Sequence, residues 1–429
     1  MARKMKDSGI EWIGEIPEEW SKNKVIRLFD IIGSGTTPKN ITSDFPVVNW
    51  IQSGDITGSF MPTCKNVISA NLLSQYSALK VYPAPFIIIA MYGASVGNAS
   101  ISLIDGCVNQ ACCVLSSPSC NLHYAFYVIK SAQSYLVRKA VGGGQPNISQ
   151  ETIKQLWLPL PPLSTQDIIV RNLDVTCSKI DDLLSSVHAS IEEYKKLKQA
   201  VITLAVTKGV RGEREMKDSG VEWIGEIPKE WVIQKIKSIS SRINVGVVIR
   251  PSEYFDENGT VPFLRSINVK EYLISSDNMV YINESSNHIL SKSQVHTDDI
   301  LIVRDGSIGT SCVVPAEYDS ANVVSMVIVT PSISCDSRFI CYSLNSDVGK
   351  TQFTLTKIGS ALTHTSVSAV SDIIVAVPSC AEQKEIADYL DAKCAEIDGL
   401  IAKKEQLVKE LESYKKSLIY EVVTGKREV

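Results

Sequence analysis

No segment of this 429-residue chain approaches the ~18 apolar residues that a membrane-spanning helix needs; the most apolar stretches, 86–91 and 323–330, are strand-length. Histidine is scarce. The five present, His123, His188, His288, His296 and His364, have no metal-ligand spacing. The eleven cysteines form an odd number without a C-x-x-C pair. That pattern argues against a zinc site and against a disulfide framework, so a reducing cytoplasm is the expected location. Neither charge sign dominates: a net charge of −4 excludes a generally basic coat for nucleic acid but leaves room for a local basic patch. The N-terminal residues lack the basic and then apolar pattern of a secretory signal.

Signatures of catalysis are missing too. Gly33-Ser34-Gly35-Thr36-Thr37-Pro38-Lys39 is glycine-rich and ends in lysine, yet it lacks the G-K-[ST] ending of a phosphate-binding loop. There is no G-x-S-x-G elbow, no H-E-x-x-H, and no N-P-P-aromatic or D-P-P-Y tetrapeptide of an amino-methyltransferase. Cys112-Cys113 sit in an apolar, strand-like run and read as core. These absences point to a binding protein without catalytic residues, metal or cofactor of its own.

What the sequence does contain is a duplication. Residues 5–20 read MKDSGIEWIGEIPEEW and residues 216–231 read MKDSGVEWIGEIPKEW, identical at fourteen of sixteen positions with an offset of 211. A second repeat aligns 166–207 with 383–424 at an offset of 217, with thirteen identities that include Leu173/Leu390, Asp174/Asp391, Cys177/Cys394 and Ile180/Ile397. Between these repeated parts lie segments that have diverged strongly. Repeats of this kind decide the fold plan before any local reading.

In the second repeat, apolar residues recur at heptad spacing. They fall at Leu173, Cys177, Ile180, Leu184, Val187 and Ile191, and again at Leu390, Cys394, Ile397, Ile401, Val408 and Leu411, with Lys404 interrupting. That is the seam of a coiled coil. Each pattern predicts a helix of about 40 residues, roughly 60 Å long. Two equivalent helices in a duplicated chain are expected to pair antiparallel about a pseudo-two-fold axis. The 5–20 motif should then pack near the end of the second helix.

The diverged segments are rich in Val, Ile, Ser, Thr, Gly and Pro. They predict strands at 47–51, 86–92, 107–115, 263–267, 300–303 and 322–330, with helix near 122–140 and 337–351. The expected fold class is α+β: two mixed α/β domains joined by two long antiparallel helices. The expected boundaries are 1–165 and 210–382 for the domains, and 166–209 and 383–429 for the helices.

This plan resembles the specificity subunit of type I restriction–modification systems. Local segments agree. The two EWIGEIP motifs are similar to the opening of such domains, and Gly33–Pro38 to a glycine–threonine–proline turn near the start of the first. Gly144-Gln145-Pro146-Asn147-Ile148-Ser149 is similar to the family's glycine–proline–asparagine–isoleucine–serine stretch. Leu158-Pro159-Leu160-Pro161-Pro162 resembles the lead into the long helix, and Val422-Val423-Thr424-Gly425-Lys426 its ending. In the second half, residues 359–364 and 244–251 depart from these patterns.

The resemblance implies two target-recognition domains, each reading one half of a bipartite sequence in double-stranded DNA. The helices set the spacer and dock two methyltransferase subunits, which bring S-adenosylmethionine and the adenine-methylating site. Restriction and translocase subunits bring ATP and Mg. This chain would supply address only. The rival reading is a coiled-coil structural adaptor that binds proteins alone, although strong divergence of the domains beside near-identical junctions speaks against it.

Base readers must be polar and carried on loops, with Arg suited to guanine and Asn or Gln to adenine. In the first domain the DNA-binding candidates are Thr36, Thr37, Lys39, Gln52, Tyr92, Ser95, Arg138, Lys139, Gln145 and Asn147. In the second they are Arg250, Arg265, Arg304, Ser307, Lys357 and His364. Residues 17–165 carry ten basic against seven acidic side chains, and 228–382 twelve against sixteen. The first domain is thus mildly basic, and the second must gather its cations on one side.

Overall fold

The computed structural model describes residues 3–39, 41, 43–142, 146–358 and 364–429, with backbone only at 356–358. The chain forms two compact units, Met1–Val187 with Gln406–Val429, and His188–Glu405. Each long helix, Leu163–Lys208 and Cys380–Val423, contributes to both. Among the described residues no helix is long and apolar enough to cross a membrane.

The first unit opens with an antiparallel hairpin, Met5–Ile10 against Gly14–Pro17. Its Ile13, Ile16 and Trp20 are buried with Leu418, Ile419, Val422 and Val423 from the end of the second long helix. The Tyr420 hydroxyl and the Lys426 ammonium both donate to the Ile13 carbonyl, at 3.0 and 2.8 Å. The motif therefore packs where the duplication placed it. Beyond it stands a five-stranded sheet in the order Phe29–Gly33, Cys112–Pro118, Phe86–Ala90, Ala99–Ser102, Phe60–Met61. Phe86–Ala90 is apolar throughout because both its faces are covered. Alternate residues of a strand point to opposite faces: Ile87 and Ile89 pack with helix Leu122–Ser131, whereas Phe86, Ile88 and Ala90 meet Tyr82, Val108 and Val114. A smaller sheet orders Cys107–Val108, Val47–Ile51 and Asn66–Ser69.

The second unit repeats the plan. Its hairpin, Met216–Asp218 against Glu226–Pro228, buries Ile227 and Trp231 with Ile202, Ala205 and Val206 of the first long helix. Its sheets run Ser240–Val245, Met326–Pro331, Ile300–Val303, Ser311–Val313 and Val280–Ile282, Val261–Leu264, Asn322–Val323.

In both units an apolar run that predicted one strand is two. The run 107–115 breaks into Cys107–Val108 and Cys112–Pro118, and 322–330 into Asn322–Val323 and Met326–Pro331, each half in a different sheet. At the first break the Asn109 side chain accepts from the Ala111 amide at 3.1 Å, a local turn. At the second, Ser325 adopts a left-handed backbone, φ 48°.

The long helices show why particular positions survive in the repeat. Leu173 and Leu390 are fully buried, and Cys177, Cys394, Ile180 and Ile397 nearly so. Ile191 is buried, while Leu184, Val187, Ile401, Val408 and Leu411 are half-buried. The shared polar residues each make a bond that recurs in the other unit. Gln166 donates to the Pro161 carbonyl and accepts from the Asn121 amide; Gln383 does the same with Pro378 and Asp336. Asp174 accepts from the Tyr127 hydroxyl and Asp391 from that of Tyr342. Lys415 pairs with Asp181, and Lys198 with Asp398. In the second unit Tyr194 faces Lys404, and Lys198, one turn further along, meets Asp398, six residues earlier. The helices therefore run antiparallel there. Lys404, the apparent break in the seam, lays its ammonium over the Tyr194 ring at 5.5 Å.

Candidate nucleic-acid interface

In the first unit the ends of several strands converge on one edge. Strand Val47–Ile51 delivers Gln52, and the Asn109 amide donates to the Ile51 carbonyl at 3.1 Å. The next residue, Gln110, is exposed and accepts from the Thr37 hydroxyl at 2.6 Å. The segment bearing Thr36 and Thr37 comes this close because Gly35 lies against the Val108 carbonyl, where a Cβ would overlap. Ser34 is tied there by its hydroxyl to the Cys112 carbonyl at 2.7 Å.

Tyr92 forms a bridge with Asn147, and the Ile148 amide donates to the Met91 carbonyl at 2.9 Å. Ser95 lies in the turn that follows Tyr92. Asn147 also bridges Val141, just beyond Arg138 and Lys139. Both cations are exposed over the Tyr135 ring, and Lys139 also lies 3.6 Å from Glu11. Lys39 is exposed, its amide donating to the Tyr76 hydroxyl. Gln145 lies outside the described residues.

The second unit assembles the equivalent loops. Strand Val261–Leu264 delivers Arg265, and the Val324 amide donates to the Leu264 carbonyl at 2.8 Å. Gly246 lies against the Val323 carbonyl as Gly35 does against Val108. This equivalence was hidden in the sequence, since with Gly246 set against Gly35 no other turn residue of 33–38 recurs at the matching position. The segment leads into Arg250, exposed at φ 45° and 3.2 Å from Glu253. Arg304 is bolted to the backbone beside His364: its Nε donates to the Thr365 carbonyl at 3.0 Å, and the Thr365 amide donates back to Arg304 at 3.1 Å. Ser307 is exposed in the turn below, and His364 is half-buried. The Lys357 side chain lies outside the described residues.

Gln110 and its counterpart Ser325 also lie at these strand ends and are not among the candidates drawn from the sequence. A lone polar residue inside an apolar run carries no periodic signal; only the strand break exposes it. The thiols behind this edge are inert: burial pushes Cys107 up to about 11 and Cys113 to about 12. Among the described residues, no group of three or more His, Cys, Asp or Glu is gathered to hold a metal ion.

The family model for the type I restriction modification DNA specificity domain matches residues 17–193 and again 228–410. The MjaVIII specificity subunit of Methanocaldococcus jannaschii is 27% identical over 71% of this chain and 69% of its own. A putative MjaX specificity subunit of the same organism is 25% identical over 96% and 95%. One similar solved structure, from work on complex assembly and conformational transition of the type I R-M system, superposes with a TM-score of 0.74 at 14% identity, over 95% of this chain and 98% of that one. The HsdS subunit from Thermoanaerobacter tengcongensis gives 0.51 at 15% identity, over 96% and 98%. With the family model matching twice, across most of its length, the chain belongs to the type I restriction modification DNA specificity domain family.

Proposed function

We infer that this chain is the sequence-reading subunit of a cytoplasmic type I restriction–modification complex, without chemistry of its own. Each unit reads one half of a bipartite target in double-stranded DNA. The long helices set the spacer and dock two methyltransferase subunits, which carry S-adenosylmethionine and methylate adenine. Restriction subunits add ATP and Mg chemistry. The supporting observation is that two units keep the same loop-bearing frame while their exposed loop residues differ. A protein-only adaptor has no reason to vary those loops alone. Mapping methylation genome-wide with and without the gene tests this. A split sequence with a fixed gap loses its mark when the gene is deleted; a methylome that loses no mark refutes the reading.

Two further results are expected. Few cations lie on the first edge, so the isolated chain grips duplex weakly. With four phosphate contacts, raising salt from 50 to 200 mM costs roughly 100-fold in affinity. Titration of labelled duplex at both salts checks this; tight specific binding by the isolated chain at the higher salt contradicts it. Second, one heptad inserted after Ser190 and another after Leu407, equivalent points of the repeat, lengthens the helices by about 10 Å while preserving the seam. The gap between half-sites widens by roughly three base pairs at 3.4 Å each, with both half-sites unchanged. Methylome sequencing of the variant reads the gap directly.

A further inference from the structure

Gln52 and Arg265 occupy one backbone position of the duplicated frame. Each follows the last residue of the strand beside the break, Ile51 or Leu264. Each opens a 3₁₀ turn, Ser53–Asp55 or Ser266–Asn268, with φ, ψ of −114°, 163° and −114°, 164°. Each amide donates to the buried side chain three residues on, Gln52 to Asp55 at 2.9 Å and Arg265 to Asn268 at 3.1 Å. The sequence hides this match, because it lies at an offset of 213, between those of the two repeats.

Both side chains are also propped from the start of the neighbouring antiparallel strand, Gln52 by that strand's first residue, Asn66, and Arg265 by Asn278, two residues before Val280. Asn66 donates its side-chain amide to Gln52 Oε1 at 3.4 Å, and Arg265 Nη2 donates to the Asn278 carbonyl. Neither prop consumes the whole side chain. Gln52 keeps its amide donors and one acceptor lone pair. Arg265 keeps Nη1, while its buried Nε has no partner in the protein. A buried donor without a partner is costly and calls for one. Both side chains stand half-buried beside the loop of Asn109–Gln110 or Val324–Ser325, where the other polar loop residues converge.

We propose that Gln52 and Arg265 are the same base-reading slot of the two units, filled for different bases: Gln52 reads adenine in one half-site and Arg265 reads guanine in the other. The chemistry follows from the donor patterns. A glutamine amide matches the donor and acceptor edge of adenine, and a guanidinium matches the two acceptors of guanine. Because the frame around the slot is shared, its contents are exchangeable. This proposal rests on the DNA-reading function inferred above.

The test uses the whole complex in cells. Gln52→Arg and Arg265→Gln are made singly and the methylome is mapped. Each swap is expected to change one position of one half-site, adenine to guanine in the first and guanine to adenine in the second. The other half-site and the gap stay as they were. Purified complexes with Gln52→Ala or Arg265→Ala supply a second measurement, selection from a randomised duplex library. Discrimination at the same position should fall by roughly 5- to 150-fold. Swaps that leave the target unchanged, or alanine variants that keep full discrimination at every position, overturn the slot. A wild-type methylome without a bipartite target overturns the function instead, so the two failures are distinguishable.

Discussion

Arg214→Ala destabilises the second unit by about 3–5 kcal/mol, the cost of stripping a buried carboxylate of its partner. Glu382 is 2% exposed, at the start of the second long helix, and its Oε1 is 2.6 Å from Arg214 Nη1. The same guanidinium lies over the buried Trp231 ring, donates to the Lys208 carbonyl at 2.9 Å and reaches Glu230. It thereby ties the repeated hairpin to the ends of both long helices. Arg211, 3.7 Å from the other oxygen of Glu382, offers only partial replacement.

The duplication supplies the control. Arg3 precedes the first hairpin as Arg214 precedes the second, lies over Trp20 at 5.3 Å and pairs with Glu19. The position of Glu382, however, is Thr165 in the first repeat, and Glu19 is half exposed. Arg3→Ala therefore costs under about 1 kcal/mol, the usual worth of an exposed pair. The two units need not melt together. Hydrogen exchange at the amides of each hairpin reports each unit separately under urea. Arg214→Ala with Glu382→Gln should recover part of the loss, since the stranded charge is gone. Equal costs for Arg3 and Arg214 would show that Glu382 is reached by water.

The sequence made the large features legible because they are periodic or repeated. The heptad seam located the long helices, and the near-identical hairpins located their partners at the helix ends. The polar identities Gln166/Gln383, Asp174/Asp391 and Asp181/Asp398 were visible as matches, but their purpose was not. Each bonds a group more than two residues away in the chain, which no local pattern encodes. Legibility failed most at the candidate edge. The breaks at Asn109–Ala111 and Val324–Ser325 interrupt apolar runs by one side-chain turn and one positive φ, so each run read as a single strand. Those breaks leave Gln110 exposed and Ser325 half-buried, and they identify Gln52 and Arg265 as equivalent positions. Of the candidate readers, Thr37, Tyr92 and Asn147 lie at these strand ends in the first unit, and Arg304 lies at those of the second. Gln145 and the Lys357 side chain lie outside the described residues.

The same edge carries the second large effect. Gly35→Ala is expected to cost about 3 kcal/mol or more, because the new methyl overlaps a backbone carbonyl that cannot rotate away. That carbonyl belongs to Val108, whose strand is held by Trp50 and Ile51 on one side. On the other side of the glycine, Ser34 is fixed through the Cys112 carbonyl and the Tyr82 hydroxyl. Neither segment can yield alone, so relief requires the 34–37 segment to lift from the edge, carrying Thr37 away from Gln110. Gly246→Ala meets the Val323 carbonyl less deeply, and its cost should be smaller. Gly54→Ala meets nothing within 4 Å and should be neutral, or stabilising by up to about 1 kcal/mol through the unfolded chain. Hydrogen exchange and urea melts order the three variants. In the assembled complex, Gly35→Ala should relax or abolish one half-site while the other keeps its bases, and Gly246→Ala the reverse. A Gly35→Ala complex that retains full stability and both half-sites would mean that the close crossing at Val108 is not what positions the loop.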